Sequence, residues 1–303
     1  MCWRNTVYRR YQPNTLTPWS KTGNGRYCGV SRSWSIRRAC ALLPLLPFVL
    51  FIAAGVGYTV LQSLGLWISA HSAESYPAGY AVILRSAWFY RSLLYSLWIA
   101  TVSTLLSVVL GTLLALLLRG LPQRLYPFAL MYKIPLILPH VVIGLIVLLG
   151  FGRGAALGRL LAAPGSSALV SAYVFKSASF VTLLVYAVLR GFDLRQLETA
   201  RMLGAGALLS FRALLLPVIL PPAATAGVIV FLFSFGAFDL PFLLGASRPA
   251  MLAIDVYNRY WYRDLSARPA AMASLVVMFL FSLLFVTVYF RLVRRQKHGI
   301  RHV

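Results

Sequence analysis

The sequence predicts an all-α polytopic membrane bundle of about six transmembrane helices. Three observations predict it. Of the 303 residues, 60% are hydrophobic and 12% charged, where soluble domains sit nearer half apolar and a quarter charged; the mean hydropathy is +0.77. The apolar residues gather into six runs long enough to cross a bilayer, which takes about 20 residues. Of the 29 basic residues, against 6 acidic ones, all but two lie between these runs. A net charge of +23 on a soluble domain would suggest nucleic acid. Dispersed between apolar runs, it signals membrane topology, and no nucleic-acid partner is expected.

Residues 1–38 carry eight Lys/Arg and no acid. They are expected to form a disordered cytoplasmic tail, although a transit peptide has the same composition. A cleavable signal has an apolar core of only about 7–15 residues. The run Ala39–Leu66 is far longer and is read as an uncleaved first span. Cys2, Cys28 and Cys40 lack CxxC spacing, so neither a disulfide framework nor a zinc site is expected.

Spans are predicted at 40–66, 93–118, 128–150, 169–189, 218–244 and 270–290. Together they form a membrane domain over 39–292, followed by a basic tail, 293–303. The fourth span carries Lys176 and several serines. Pro44, Pro47, Pro135 and Pro139 fall within spans, where neighbouring helices re-satisfy the freed backbone groups. Cytoplasmic connections hold the excess of Lys and Arg. With the N-terminus inside, segments 1–39, 119–127, 190–217 and 291–303 carry 19 of them and the outer connections 8, leaving Lys133 and Lys176 in spans. Both termini are therefore expected in the cytoplasm.

The loop 193–217 carries the most information. Asp193 with Gln196 three residues on is a capping-box arrangement. Leu194, Leu197 and Ala200 form a short apolar stripe, and Glu198 is placed to pair with Arg195 and Arg201. Gly204 sits where a helix-ending glycine belongs. A second segment, Ala207–Leu216, leads to Pro217, and Pro221 and Pro222 suit the start of the next span.

Glu198-Thr199-Ala200, three residues, Gly204, nine residues and Leu214-Leu215-Leu216-Pro217 resemble the EAA loop. That loop marks the permease subunits of binding-protein-dependent ABC importers, with Thr199 standing here for Ala and Leu214 for Ile. The segment SFGAFDLPFLLG at 234–245, with Pro249, Tyr257, Asp264 and Arg268–Ala273, is similar to the polyamine, ferric iron, thiamine and phosphonate permeases. The resemblance implies a type I importer permease in a bacterial inner membrane. Its partners would be a cytoplasmic ABC ATPase dimer, a second permease subunit and an extracytoplasmic substrate-binding protein. The ATPase would bind ATP, and this chain no cofactor. Glu198, Thr199, Ala200, Gly204, Leu214, Leu216 and Pro217 would form the coupling loop, and the substrate would be a small polar or charged solute such as a polyamine.

Asp239 closes the fifth apolar run, about 26 Å from Pro222 at roughly 1.5 Å per residue. With Phe235 and Pro241 it is the candidate for the substrate pathway or a gate; the alternative is a helix cap or a partner for Arg248. Lys133 and Lys176 read as structural charges, and His140 as an interior histidine rather than a metal ligand. Tyr257, Tyr260, Trp261 and Tyr262 read as an interfacial aromatic belt. No lysine follows glycine, and neither GxSxG nor HExxH occurs, so neither an ATP site nor an enzyme is predicted. An ion-gradient-driven secondary transporter is the alternative, which predicts carboxylates near the midplane.

Overall fold

A computed structural model describes residues 43–65, 78–122, 130–151, 166–193, 195–245, 249–263 and 265–299. The leader 1–38, Cys2, Cys28 and Cys40, Leu194, Arg248, Asp264 and residues 300–303 lie outside them. By internal contacts the chain divides into Met1–Tyr58 and Thr59–Val303. The described part of the first unit is a 3-10 turn, Leu43–Leu45, running into α1 (Leu46–Ser63), which continues into the second. Pro44 and Pro47 thus sit at a helix start, where a missing N–H costs nothing.

The second unit continues with α2 (Ala78–Arg85), α3 (Ala87–Gly120), α4 (Ile134–Ile137), α5 (His140–Phe151) and α6 (Ser166–Arg190). Then come α7 (Arg195–Met202), α8 (Ala207–Ser210), α9 (Leu216–Gly236), α10 (Asp239–Leu244), α11 (Leu252–Trp261) and α12 (Arg268–Gly299). Among the described residues five helices are long and apolar enough to span a membrane: Leu43–Ser63, Ala87–Gly120, Ser167–Arg190, Ala207–Gly236 and Arg268–Arg291. The third run differs from the single helix predicted over 128–150. It breaks into Leu130–Ile137 and His140–Gly150, bent by 103°. Pro139 is the physical reason, because it forces its predecessor Leu138 into extended backbone, ψ 131°.

The fifth run also differs. Its helix begins upstream at Ala207 and passes through a π-helical turn, Phe211–Leu215, into α9. Pro221 and Pro222 therefore lie inside a helix rather than at its start. The widened turn ends two residues before Pro217, which has no N–H to offer the carbonyl four residues back. The helix stops at Gly236, and 239–244 forms the separate α10. The helix of the sixth run continues to Gly299, into the segment predicted as the basic tail.

The core is built on α3. Ser92, Ser96, Ala100, Ser103, Ser107, Gly111 and Ala115 line its buried face at spacings of three and four, one stripe of a helix. Small side chains let backbones approach closely inside a membrane. A Cβ on Gly111 would lie 2.6 Å from both the Ala178 carbonyl oxygen and Val181 Cβ of α6. The Thr182 hydroxyl lies 2.7 Å from the Ala178 carbonyl and 3.1 Å from that of Gly111, which knits the seam.

Candidate functional site

The motif loop forms a self-contained device. Asp193 Oδ1 accepts from the Arg195 N–H at 3.0 Å, so Asp193 caps the helix one residue earlier than the Gln196 partner of the predicted capping box, and α7 follows. Thr199 Oγ1 donates to the Arg195 carbonyl at 2.9 Å. At the other end Gly204 N–H bonds the Arg201 carbonyl at 2.9 Å and Ala205 N–H that of Ala200 at 3.0 Å. With Gly204 at φ +83°, this is a Schellman termination. Nothing lies within 4 Å of a Cβ placed on Gly204, so the demand for glycine is conformational.

The loop's charges are solvated. Arg195, Glu198 and Arg201 are exposed, and the expected pairing differs: among the described residues Glu198 makes no ion pair. Solvation offsets most of what such a pair would contribute. The loop also exposes apolar side chains, Met202 at 90%, Leu203 at 83%, Leu208 at 69% and Leu209 at 62%. Sequence reasoning did not single these out, although apolar pairs beside a charged helix were the available signal. Leu214 is half-buried, while Leu216 and Pro217 are exposed at the start of α9. The motif thus passes from a short surface helix directly into a span.

The candidates at membrane depth separate. Asp239 is exposed and is the first residue of α10, where a carboxylate suits the positive helix end. Phe235 is fully buried, its ring 6.1 Å from Phe231 and 5.2 Å from Phe281. Pro241 is buried within α10. Among the described residues Asp239 makes no ion pair.

The break in the third run meets α6 at Lys176. Its Nζ donates to the Leu138 carbonyl at 3.0 Å and lies 3.4 Å from His140 Nδ1. The ammonium therefore caps a carbonyl at the break, and the Phe233 ring packs 5.1 Å from the imidazole. Lys133 is exposed, 5.9 Å above the Tyr132 ring.

Around α11 the aromatic group holds together. The Tyr257 ring lies 5.0 Å from Phe238 and 6.0 Å from Tyr262, and Tyr260 lies 5.2 Å from Trp261. Arg259 stacks 3.3 Å from the Trp88 ring and lies 3.6 Å from Asp255, which also accepts from the Ser92 hydroxyl at 3.1 Å. Burial lowers the Arg259 pKa below its ordinary value; Asp255 opposes that shift and Arg263 adds to it.

These features define a class: a helical, multi-pass membrane protein that carries a short exposed helix on one loop. Residues 107–301 match the family described as binding-protein-dependent transport system inner membrane component, and the chain belongs to that family. It is a transport component of the inner membrane, not an enzyme. Relatives include a Mycobacterium bovis molybdenum transport system permease protein ModB, 33% identical over 179 residues, which covers 55% of this chain and 67% of the relative. The Escherichia coli K12 spermidine/putrescine transport system permease protein PotC is 25% identical over 219 residues, covering 72% and 79%. The fold is similar to a crystal structure of a bacterial ABC transporter involved in the import of alginate, with TM-score 0.71 and 17% identity over 87% of this chain and 99% of that one. It is also similar to the MetNI methionine ABC transporter in an inward facing conformation, with TM-score 0.54 and 20% identity over 73% and 99%.

Proposed function

We propose that this chain forms the substrate pathway of an ATP-driven importer and that α7 couples it to a separate cytoplasmic ATPase. One observation carries the reading: a helix of eight residues, stopped by Gly204 in the left-handed region, exposes Met202 and Leu203 beside exposed charge. An apolar patch rimmed by polar residues suits a protein partner. A lever so short rotates as one body, and the continuous helix from Ala207 to Gly236 transmits the motion into the membrane. The partners are an ATPase dimer that binds ATP, a second permease subunit, identical or not, and an extracytoplasmic binding protein. Both termini lie in the cytoplasm, the orientation that the charge asymmetry supports.

Glu198, Thr199, Ala200 and Gly204 form the docking helix and its stop, while Leu214, Leu216 and Pro217 join it to α9. The substrate is a small polar or charged solute. Asp239 is the exposed pathway candidate, and Phe235 and Pro241 are the buried ones. The test is purification from membranes: a distinct Walker-type ATPase accompanies the wild-type chain. Purification of a transport-active chain without one would return the reading to an ion-driven transporter.

A further inference from the structure

Lys176 lies ten residues into α6, a helix of 25 residues, or about 15 Å from one end and 21 Å from the other at roughly 1.5 Å per residue. It is half-buried. An ammonium turned to lipid at that depth is costly, so this face meets water or a partner.

The hydrogen bonding then fixes what this face offers. Lysine only donates, with three N–H groups. One goes to the Leu138 carbonyl and a second to His140 Nδ1, which leaves a third. Because Nδ1 accepts, the neutral imidazole carries its proton on Nε2. That Nε2 is buried and has no partner among the described residues, and such groups call for an explanation. Phe233, 44% exposed, packs against the ring. α5 begins at His140, so the positive end of its dipole adds to the same place. Tyr173, one turn from Lys176, is buried with its hydroxyl also unpartnered. Asp239 is near enough to bear electrostatically on His140 and Tyr173 but forms no ion pair with Lys176.

We propose that Lys176 and His140 form an oxyanion-accepting station at mid-depth in the pathway, covered by Phe233, and that the solute carried is a small oxyanion. The proposal rests on the importer reading above. Two donors left without acceptors match a ligand that brings oxygen acceptors and negative charge. A polyamine would place its cations against Lys176.

The experiment uses the full transporter, with its own ATPase and binding protein, in proteoliposomes. The probes are radiolabelled molybdate, sulfate and phosphate, with spermidine as the cationic counterpart. Uptake of at least one oxyanion is expected. Lys176→Gln should keep membrane level and ATPase copurification but lower that uptake by about tenfold or more, the scale of a charge-assisted hydrogen bond. Lys176→Arg should retain most of it. His140→Phe keeps a ring against Phe233 and leaves the Lys176 bond to Leu138 in place, so it tests the station even where Lys176→Gln fails to accumulate; it should raise KM for the oxyanion several-fold. Wild-type uptake in Lys176→Gln, an unchanged KM in His140→Phe, uptake of spermidine, or uptake of none of the oxyanions would each overturn the station. Absence of an ATPase from the wild-type preparation would instead overturn the importer reading.

Discussion

Two glycines in this chain are required for opposite reasons. Gly204, in the loop after α7, has no neighbour within 4 Å of where a Cβ would stand, but its φ is +83°. Gly111, in the seam of α3 and α6, is not among the positive-φ glycines, but its Cβ would sit 2.6 Å from a backbone oxygen. The first is imposed by the chain's own turn and the second by a helix some 70 residues away. The loop is therefore a local structure, and in the proposed reading the one an ATPase docks on, whereas the seam is tertiary structure inside the bundle.

Substitutions at the two places should separate stability from coupling. Gly111→Val has the largest expected effect. The new side chain meets α6 backbone and Val181, and overpacking of this kind costs about 1–3 kcal/mol or more. Membrane accumulation should fall severely, as an immunoblot of membranes would show; normal levels would mean that the seam opens without penalty. Gly204→Val comes next. A β-branched residue is strongly disfavoured at that φ, but the loop lies outside the bilayer. Accumulation should persist while ATPase copurification and uptake are lost together.

Glu198→Lys should be milder in structure and still damaging in function. Among the described residues Glu198 makes no ion pair, so folding loses little, and melting in detergent should shift by no more than a few degrees. ATPase copurification should drop, because the exposed helix would then present three cations and no acid. Retained coupling would place the docking surface on Met202 and Leu203 alone. Thr199→Ala should do least. It removes one exposed side-chain bond to the Arg195 carbonyl, worth about 1 kcal/mol or less, and restores the residue the EAA pattern has there. Uptake should stay near wild type, and a large loss would give the hydroxyl a direct role at the ATPase.

The loop was legible because its bonds are local. Asp193 and Arg195, Arg201 and Gly204, and Ala200 and Ala205 are each separated by no more than five residues, so spacing marks both ends of the helix even where the exact partner differs. The six apolar runs were legible for a related reason: a bilayer selects on length and composition, which one sequence displays. What failed was continuity. The third run read as one helix, yet Pro139 divides it, and the ends of α9 and α12 moved. The short α2 and α11 lie in connections whose composition carried no span signal. The exposed apolar pairs Met202–Leu203 and Leu208–Leu209 were visible as residues but not as a surface.

The sequence by itself determined the class of fold, where the apolar runs lie, the spacing of the loop motif and the glycine that ends α7. Each depends on neighbours in the chain or on a solvent that treats every run alike. Tertiary structure alone decided that Lys176 caps the Leu138 carbonyl, 38 residues away, that Phe233 covers His140, and that Phe235 is core while Asp239 is exposed. Those outcomes depend on which helix faces reach one another across the bundle. Inside a membrane, apolar surface gains little by leaving lipid for a neighbouring helix, so the hydrophobic pattern does not fix those faces. Close packing of small residues and the satisfaction of scarce polar groups fix them instead.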